Sequence, residues 1–518
     1  MRTEPESRPR TRPARLLGGL LATLLGSGCA HALAADDPPA ARVDSGSLRL
    51  DLASRGARVV RWEACHPGCG EASSRRALFG GPQDPPPLEA FVPGVAGLDA
   101  LAYDVRVEEG DGAVVVTLVS EPFEGEVRLE QTYRIPKRGH GGRLTVRING
   151  EGAAAFASAH SLAVRLRPGA AFRPLPGPGV AGSLERLRFV HETGAGFERL
   201  ERSEDGSALL DAGRWVGFRN RFWALMVRAD ENAQVALEDD ALTIVFPPGD
   251  ARALDVRFFS GPLRFDTLRA EDPVLSGVLF QELWFWMRWL TLGLLFLWEG
   301  LSRLVTVAGV AIVLTSLAVK ILMLPLTTVA TRWQRDVNEK QSLLLPRIRE
   351  IKSSSKGEER HRRILELHER SGIHPMFALK SLLGVAIQVP VFFAAYHMLG
   401  ENFDLNGVAF LWIRDLAMPD RLATLPFHVP FFGNGLNVLP FLMTGVTLLS
   451  SWAVDDPSLS PELRARQRRN LYLMAAAFFV LFYTFPAGMV LYWTTNNVLH
   501  FIKEGVSGRL SARRVPAA

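Results

Sequence analysis

Arg303–Leu326 reads RLVTVAGVAIVLTSLAVKILMLPL, and the nature of the whole chain turns on it. The stretch exceeds the ~20 apolar residues that, at about 1.5 Å each, cross the hydrocarbon core of a bilayer. Lys320 interrupts it from within. A cation costs about 2.5–3.5 kcal/mol at the centre of a bilayer and less towards its surface, so something must compensate for it. Two readings stand. In one, Lys320 snorkels to nearby headgroups. In the other, it faces a water-filled cavity inside a helix bundle and meets a substrate there.

Beyond the span, Ala330–Pro375 carries eleven Lys/Arg against seven Asp/Glu. An excess of cations beside a span marks the cytoplasmic side. Trp333, Val337, Leu344, Ile348 and Ile351 fall at helical spacing, Ser353–Gly357 interrupts, and Glu358–Arg370 forms a second arm closed by Gly372 and Pro375. The pattern predicts a helical hairpin projecting into the cytosol. His368-Glu369 is not a zinc-protease motif, because the next histidine, His374, lies six residues on and past a glycine.

A second span, Met376–Leu399, contains Gln388 and Pro390, both tolerable where they face other helices. Val438–Trp452 is a third, and Ser450–Asn470 is again basic. The last apolar tract, Leu471–Ile502, is too long for one helix and short for two. With Phe485-Pro486-Ala487-Gly488 at its middle, two short spans return the basic tail, with Lys503, Arg509, Arg513 and Arg514, to the cytosol. Spans this short call for local bilayer thinning.

On the N-terminal side, Glu282–Gly300 holds Trp284, Trp286, Trp289 and Trp298. Tryptophan favours the membrane–water interface, which predicts an amphipathic helix on the outer face within residues 273–302. Residues 36–272 are polar and β-rich. Strands are expected at Ala113–Ser120, Val127–Ile135, Arg143–Ile148, Leu162–Leu166, Ala241–Phe246 and Leu254–Phe259, separated by turn clusters such as Glu109–Gly112 and Gly139–Gly142. That spacing argues for a β-sandwich. His140, His160 and His191 are scattered without metal spacing, so satisfied or exposed histidines are expected. Cys65 and Cys69 can close a small disulfide in an oxidising compartment. Residues 1–35 form a targeting segment: Arg8, Arg10, Arg12 and Arg15 precede an apolar run and Ala32-Leu33-Ala34. Cleavage, lipidation at Cys29 and retention as an anchor all remain open, and each exports the β-rich region after it.

At 518 residues the chain has room for two or three domains. The net charge of +5 fits basic cytoplasmic loops rather than sequence-specific nucleic-acid binding. No nucleotide motif is present, and no cofactor, metal or catalytic residue is expected.

With these residues in view, the second half resembles the YidC family of membrane protein insertases, densely from about Thr315 to Asn497. The resemblance runs through Lys320 to Leu326, Leu345–Ile348, Gly372-Ile373-His374-Pro375, Gln388–Phe392, Trp412–Leu416 and Phe485–Trp493, in that order. The exported half is similar to the large periplasmic domain of Gram-negative members through Trp215-Val216-Gly217-Phe218, Arg221-Phe222-Trp223-Ala224 and Gly261-Pro262. The resemblance implies an α-helical polytopic core, a five-helix insertase bundle over residues 303–505 that includes the hairpin 330–374. It also implies an exported all-β, supersandwich-like domain and a basic cytoplasmic tail at 506–518. It implies insertion and chaperoning of newly made proteins at the bacterial inner membrane, alone or beside the Sec translocon. Implied partners are nascent membrane proteins, the lipid bilayer, and the ribosome or signal recognition pathway. The family's groove cation is usually Arg; here Lys320 stands in its place, a point charge without the planar fork. The groove would be completed by Gln388, Tyr492, Trp493, Thr495 and Asn496, of which Tyr492, Thr495 and Asn496 share one helical face. A transporter using Lys320 as a substrate or proton site is the competing reading, favoured by inverted repeats, of which none is evident. An enzyme in the exported domain is another, and needs an acid/base pair that the sequence does not place.

Overall fold

The computed structural model describes residues 39–66, 69, 75–80, 84–173, 184–201, 207–249, 253–370, 383–453 and 461–512. Residues 1–35, where a targeting segment is expected, Gly372–Pro375 and the first residues of the expected Met376–Leu399 span lie outside the described residues.

The N-terminal half is an antiparallel all-β domain of several sheets. One sheet runs in chain order, Ala41–Asp44, Leu48–Leu52, Val59–Cys65 and Arg75–Phe79. A second places Ser207–Leu210, Ala233–Glu238, Ala241–Phe246, Leu162–Leu166 and Leu88–Phe91 side by side. The third and largest runs Gly196–Arg199, Arg188–Thr193, Trp215–Arg219, Trp223–Ala229, Ala253–Pro262, Gly141–Asn149, Arg128–Pro136, Ala113–Ser120 and Tyr103–Glu109. Successive strand residues point to opposite faces, and burial alternates accordingly along Arg128–Pro136. Trp215–Arg219 is buried at every position, so both its faces are covered. Aromatic rings join the first sheet to the third. Trp62 meets Phe258 edge-on at 5.2 Å, and Phe172 lies 5.5 Å from Phe79 and 4.9 Å from Phe218.

Three expected strands appear with the expected bounds, at Ala113–Ser120, Leu162–Leu166 and Ala241–Phe246; the one expected at Val127–Ile135 is shifted by one residue to Arg128–Pro136, and the other two extend by one to three residues at their ends. The strands between Ala41 and Cys65 and the helix α1 (Ala153–Ala159) were not anticipated. Charged residues and turns interrupt that region's apolar pattern, and its pairing is decided across the sheet.

A short helix α2 (Phe265–Glu271) leads to α3 (Phe285–Ser302). Trp284, Phe285 and Trp289 are exposed beside or along one side of α3, while Leu292, Leu295 and Trp298 are buried. This is the expected two-sided helix. The span read from Arg303 starts only at Ala308, because α3 runs on to Ser302 and the intervening residues reverse the chain.

Helix α4 (Ala308–Ser354) then runs unbroken through the apolar stretch and on through the first hairpin arm. At about 1.5 Å per residue its polar half reaches some 30–35 Å beyond the span. Gly357, at φ 63°, takes the left-handed backbone needed to enter α5 (Gly357–Arg370), the second arm. Helices α6 (Leu383–Gly400), α7 (Leu439–Ala453), α8 (Pro461–Phe482) and α9 (Ala487–Ala512) come next. The tract from Leu471 does break at Tyr483–Pro486. Among the described residues, Ala308–Trp333 is the segment long and apolar enough to cross a membrane; Ala386–Gly400 and Leu439–Ser450 are shorter apolar helices.

The loop before α7 is a node. Phe410 lies directly over Gly309, where a side chain would overlap its ring. The amides of Ala487 and Gly488 at the start of α9 donate to Met418 O and Leu416 O, each at 2.8 Å. The first amides of a helix have no intrahelical acceptor, so this loop satisfies them.

The β-domain and the helical half are joined through the turn between Trp215–Arg219 and Trp223–Ala229. Arg219 and Arg221 are 1% and 0% exposed. A buried cation is costly unless paired and hydrogen-bonded. Arg219 donates to Val278 O at 2.8 Å and to Glu401 at 2.7 Å. Arg221 donates to Gly400 O, to Ala417 O at 2.8 Å and to Glu185 at 3.0 Å. Arg264 pairs with Asp404, and Phe403 packs edge-on against Trp223 at 5.1 Å.

Candidate functional site

Lys320 faces α9. Its Nζ donates to Asn496 Oδ1 at 3.1 Å. One turn earlier on the same face, Ser316 Oγ donates to the carbonyl of Tyr492 at 3.2 Å. Residues four apart lie one above the other on a helix. Since 316 meets 492 and 320 meets 496, the two helices run parallel along this seam. The Asn496 amide oxygen solvates the ammonium without cancelling its charge. That is a compensation an apolar bundle position requires.

Other polar groups of α9 are satisfied locally. Thr495 Oγ1 donates to Leu491 O at 2.8 Å and Thr494 Oγ1 to Val490 O at 2.7 Å. Such bonds keep hydroxyls satisfied inside a helix. Asn497 Nδ2 reaches Thr447 Oγ1 on α7 at 3.0 Å. Tyr492 is 5% exposed, its backbone in the seam.

Trp493 belongs to a different surrounding. Its ring meets Phe392 edge-on at 4.6 Å, lies near-parallel to Phe482 at 5.8 Å, and approaches Phe478 at 6.4 Å. It is an aromatic clamp joining α6, α8 and α9. Gln388 is half-buried on α6, one turn before Phe392 and on the same face. The sequence-derived candidates therefore divide into a polar seam, Lys320 with Asn496 and the Tyr492 backbone, and an aromatic cluster holding Trp493 with Gln388 beside it. Ser316 was missed, although its place four residues before Lys320 marks it as a neighbour on that face.

In the β-domain, Cys65 and Cys69 are joined by a disulfide with their Cα atoms 5.0 Å apart. His140 is buried, and its Nε2 donates to Cys65 O at 3.1 Å, which assigns the proton to that nitrogen. Burial lowers its pKa to about 4, against the opposing pull of this hydrogen bond. His160 Nδ1 donates to Phe156 O at 3.1 Å. Among the described residues no group of three or more His, Cys, Asp or Glu is placed to hold a metal ion.

Residues 300–511 match the family described as 60Kd inner membrane protein. The membrane protein insertase YidC of Syntrophobacter fumaroxidans is 32% identical over 259 residues, 49% of this chain and 44% of that protein. The one from Janthinobacterium sp. is 25% identical over 420 residues, 77% of this chain and 70% of that protein. The chain spans about half the length of most of the curated relatives it matches. Among solved structures, an active YidC insertase with its first transmembrane domain resolved covers 90% of this chain and 94% of its own at 17% identity, with a TM-score of 0.34. The C-terminal part of the chain thus matches the 60Kd inner membrane proteins, and the chain is similar to the YidC insertases over about half to three quarters of its length.

Proposed function

We propose that this protein inserts newly made membrane proteins into a bacterial inner membrane. In this reading α4 and α6 to α9 form the five-helix core over residues 303–505. The β-domain, residues 36–272, stands on the outer face as a supersandwich, and the hairpin 330–374 and the tail 506–518 lie in the cytosol. The observation that carries the reading is the Lys320–Asn496 pair within the long apolar span.

The physical task is to move a polar segment through hydrocarbon, where each unpaired backbone group costs several kcal/mol. A groove lined by Lys320, Asn496, Tyr492, Thr495, Trp493 and Gln388 supplies hydrogen-bonding partners over part of that distance. Its positive charge draws acidic residues in the translocated segment. Burial of the substrate's own apolar helix drives the transfer, so no nucleotide is needed. The cytoplasmic hairpin and basic tail receive nascent chains or ribosomes, and the protein works alone or beside the Sec translocon.

The test is protease protection of a small, newly translated membrane protein added to liposomes holding the purified chain, with empty liposomes as control. Protection by wild type and Lys320→Arg, but not by Lys320→Ala, supports a groove that needs charge. No protection above empty liposomes, with folded protein and several substrates, rejects insertion by this chain alone.

A further inference from the structure

The β-domain contains a cavity of about 860 Å³ that the insertion mechanism does not use. Its volume falls in the usual range of ligand sites. Its lining is charged. Arg173, Arg186 and Arg199 contribute guanidinium groups, and Glu201, Asp239 and Asp240 contribute carboxylates. A fourth arginine, Arg167, is already held by Glu89 at 2.9 Å. Among the described residues, the other three arginines and the three acids form no ion pairs, with one another or with other groups. All six residues are exposed to solvent where the cleft opens, so charges of both signs line one concave surface and are accessible to a ligand bearing both signs. Asp239 and Asp240 sit at φ 46° and 58° in the turn between Ala233–Glu238 and Ala241–Phe246, the left-handed pair that a tight hairpin demands.

Three contacts place this cavity at the end of the β-domain that meets the helices. Beside Arg186, Glu185 pairs with Arg221, which donates to Gly400 O at the end of α6. Two residues further, Arg188 pairs at 2.9 Å with Glu282, just before exposed Trp284. Beside Arg173, Ala171 O accepts from Asn220 at 2.8 Å, next to the Arg219 and Arg221 anchors. The exposed rings of Trp284 and Trp289 are suited to the headgroup level.

We propose that this cavity binds the headgroup of a zwitterionic phospholipid carrying a primary ammonium, of the phosphatidylethanolamine type. Arg173, Arg186 and Arg199 take the phosphate, for which guanidinium geometry is suited. Glu201, Asp239 and Asp240 take the ammonium. A lining of four arginines, one of them already paired with Glu89, and three carboxylates selects a zwitterion over a purely anionic headgroup. The assignment rests on the outer-face placement of the β-domain proposed above.

The experiment uses the full chain in phosphatidylcholine nanodiscs doped with phosphatidylethanolamine, with lipid retained after detergent release read by native mass spectrometry. Wild type is expected to retain phosphatidylethanolamine over phosphatidylcholine by about 10-fold or more, the scale of one charge-assisted hydrogen bond. Arg173→Gln/Arg186→Gln/Arg199→Gln should lose that retention. Glu201→Gln/Asp239→Asn/Asp240→Asn should keep bound lipid but no longer distinguish the two headgroups. Equal retention of both lipids by wild type overturns the proposal, and this arm decides even where the arginine variant does not fold. Displacement by soluble glycerophosphoethanolamine as effective as by lipid also overturns it, in favour of a soluble phosphoester. Alkaline extraction of membranes separates the two readings. A chain that stays in the membrane yet shows no lipid preference rejects the cavity alone; a chain released by extraction rejects the membrane placement with it.

Discussion

Arg219 of the β-domain donates to Glu401, one residue past α6, at 2.7 Å across 182 positions of sequence, with both side chains almost entirely removed from solvent. Burial disfavours the Glu401 carboxylate, yet Arg219, with His397 and Arg188, draws its pKa down to about 2. The pair is both a clamp between halves and a charge that neither partner tolerates alone.

Breaking it from one side should therefore be severe. Glu401→Ala leaves Arg219 buried without its carboxylate and is expected to destabilise the protein by about 3–5 kcal/mol. Arg219→Met with Glu401→Met should cost less than either single change, because it buries no orphan charge. Denaturant unfolding of the three variants checks this. Since the folded pKa is depressed, the stabilisation is full above the ordinary glutamate range near 4.5 and is lost as pH falls towards 2.

His140 supplies a second, separate pH dependence. Its folded pKa, near 4, lies below the ordinary 6.5, so the unfolded chain binds the extra proton in between. Stability of the β-domain should fall as pH drops from 6.5 to 4, by about 3 kcal/mol at full effect. His140→Gln should flatten that part of the profile, whatever it does to stability at neutral pH. A thermal melt at several pH values reads both.

Asn496→Asp places a carboxylate where the Lys320 ammonium now meets an amide. Stability should change by no more than about 1 kcal/mol, the scale of interhelical polar contacts in membranes. On the proposed function, insertion of substrates with acidic translocated segments should fall several-fold, because the added carboxylate offsets the Lys320 charge. Protease protection measured beside a melting curve distinguishes this from a packing defect, which would move both.

Gly309→Leu drives a side chain into the Phe410 ring. Overpacking of this kind costs about 1–3 kcal/mol. Adding Phe410→Ala should recover part of the loss, and a double-mutant cycle on thermal stability tests the pairing.

Cys65→Ser with Cys69→Ser opens a loop of sequence separation 4. A loop this short constrains the unfolded chain little, so about 2 kcal/mol of β-domain stability is expected to go. Urea unfolding of the oxidised protein against the variant measures it.

Local signals carried the helical half a long way. The apolar run to Leu326, the cations of Ala330–Pro375, the break at Ser353–Gly357 and Pro486 in the last tract each act within a few residues. Each reappears as a helix or a boundary. Lys320 announced itself because a cation in an apolar span needs a partner, and Asn496 could be named as a groove residue. That the two touch, while Trp493 turns instead to Phe392 and Phe482, depends on how α9 rotates against α4 and α6. No spacing along one helix encodes that rotation.

The apolar stretches, the charge asymmetry of the loops and the strand-like alternation of the N-terminal half are all legible in the sequence. These arise from hydrophobic periods of 3.6 and 2, which are local properties. Only the tertiary structure decided that Arg219 and Arg221, at an unremarkable turn between two strands, are buried clamps onto Glu401, Gly400 and Ala417. Burial and pairing of a charge depend on neighbours more than a hundred residues away, and a sequence carries no local mark of them.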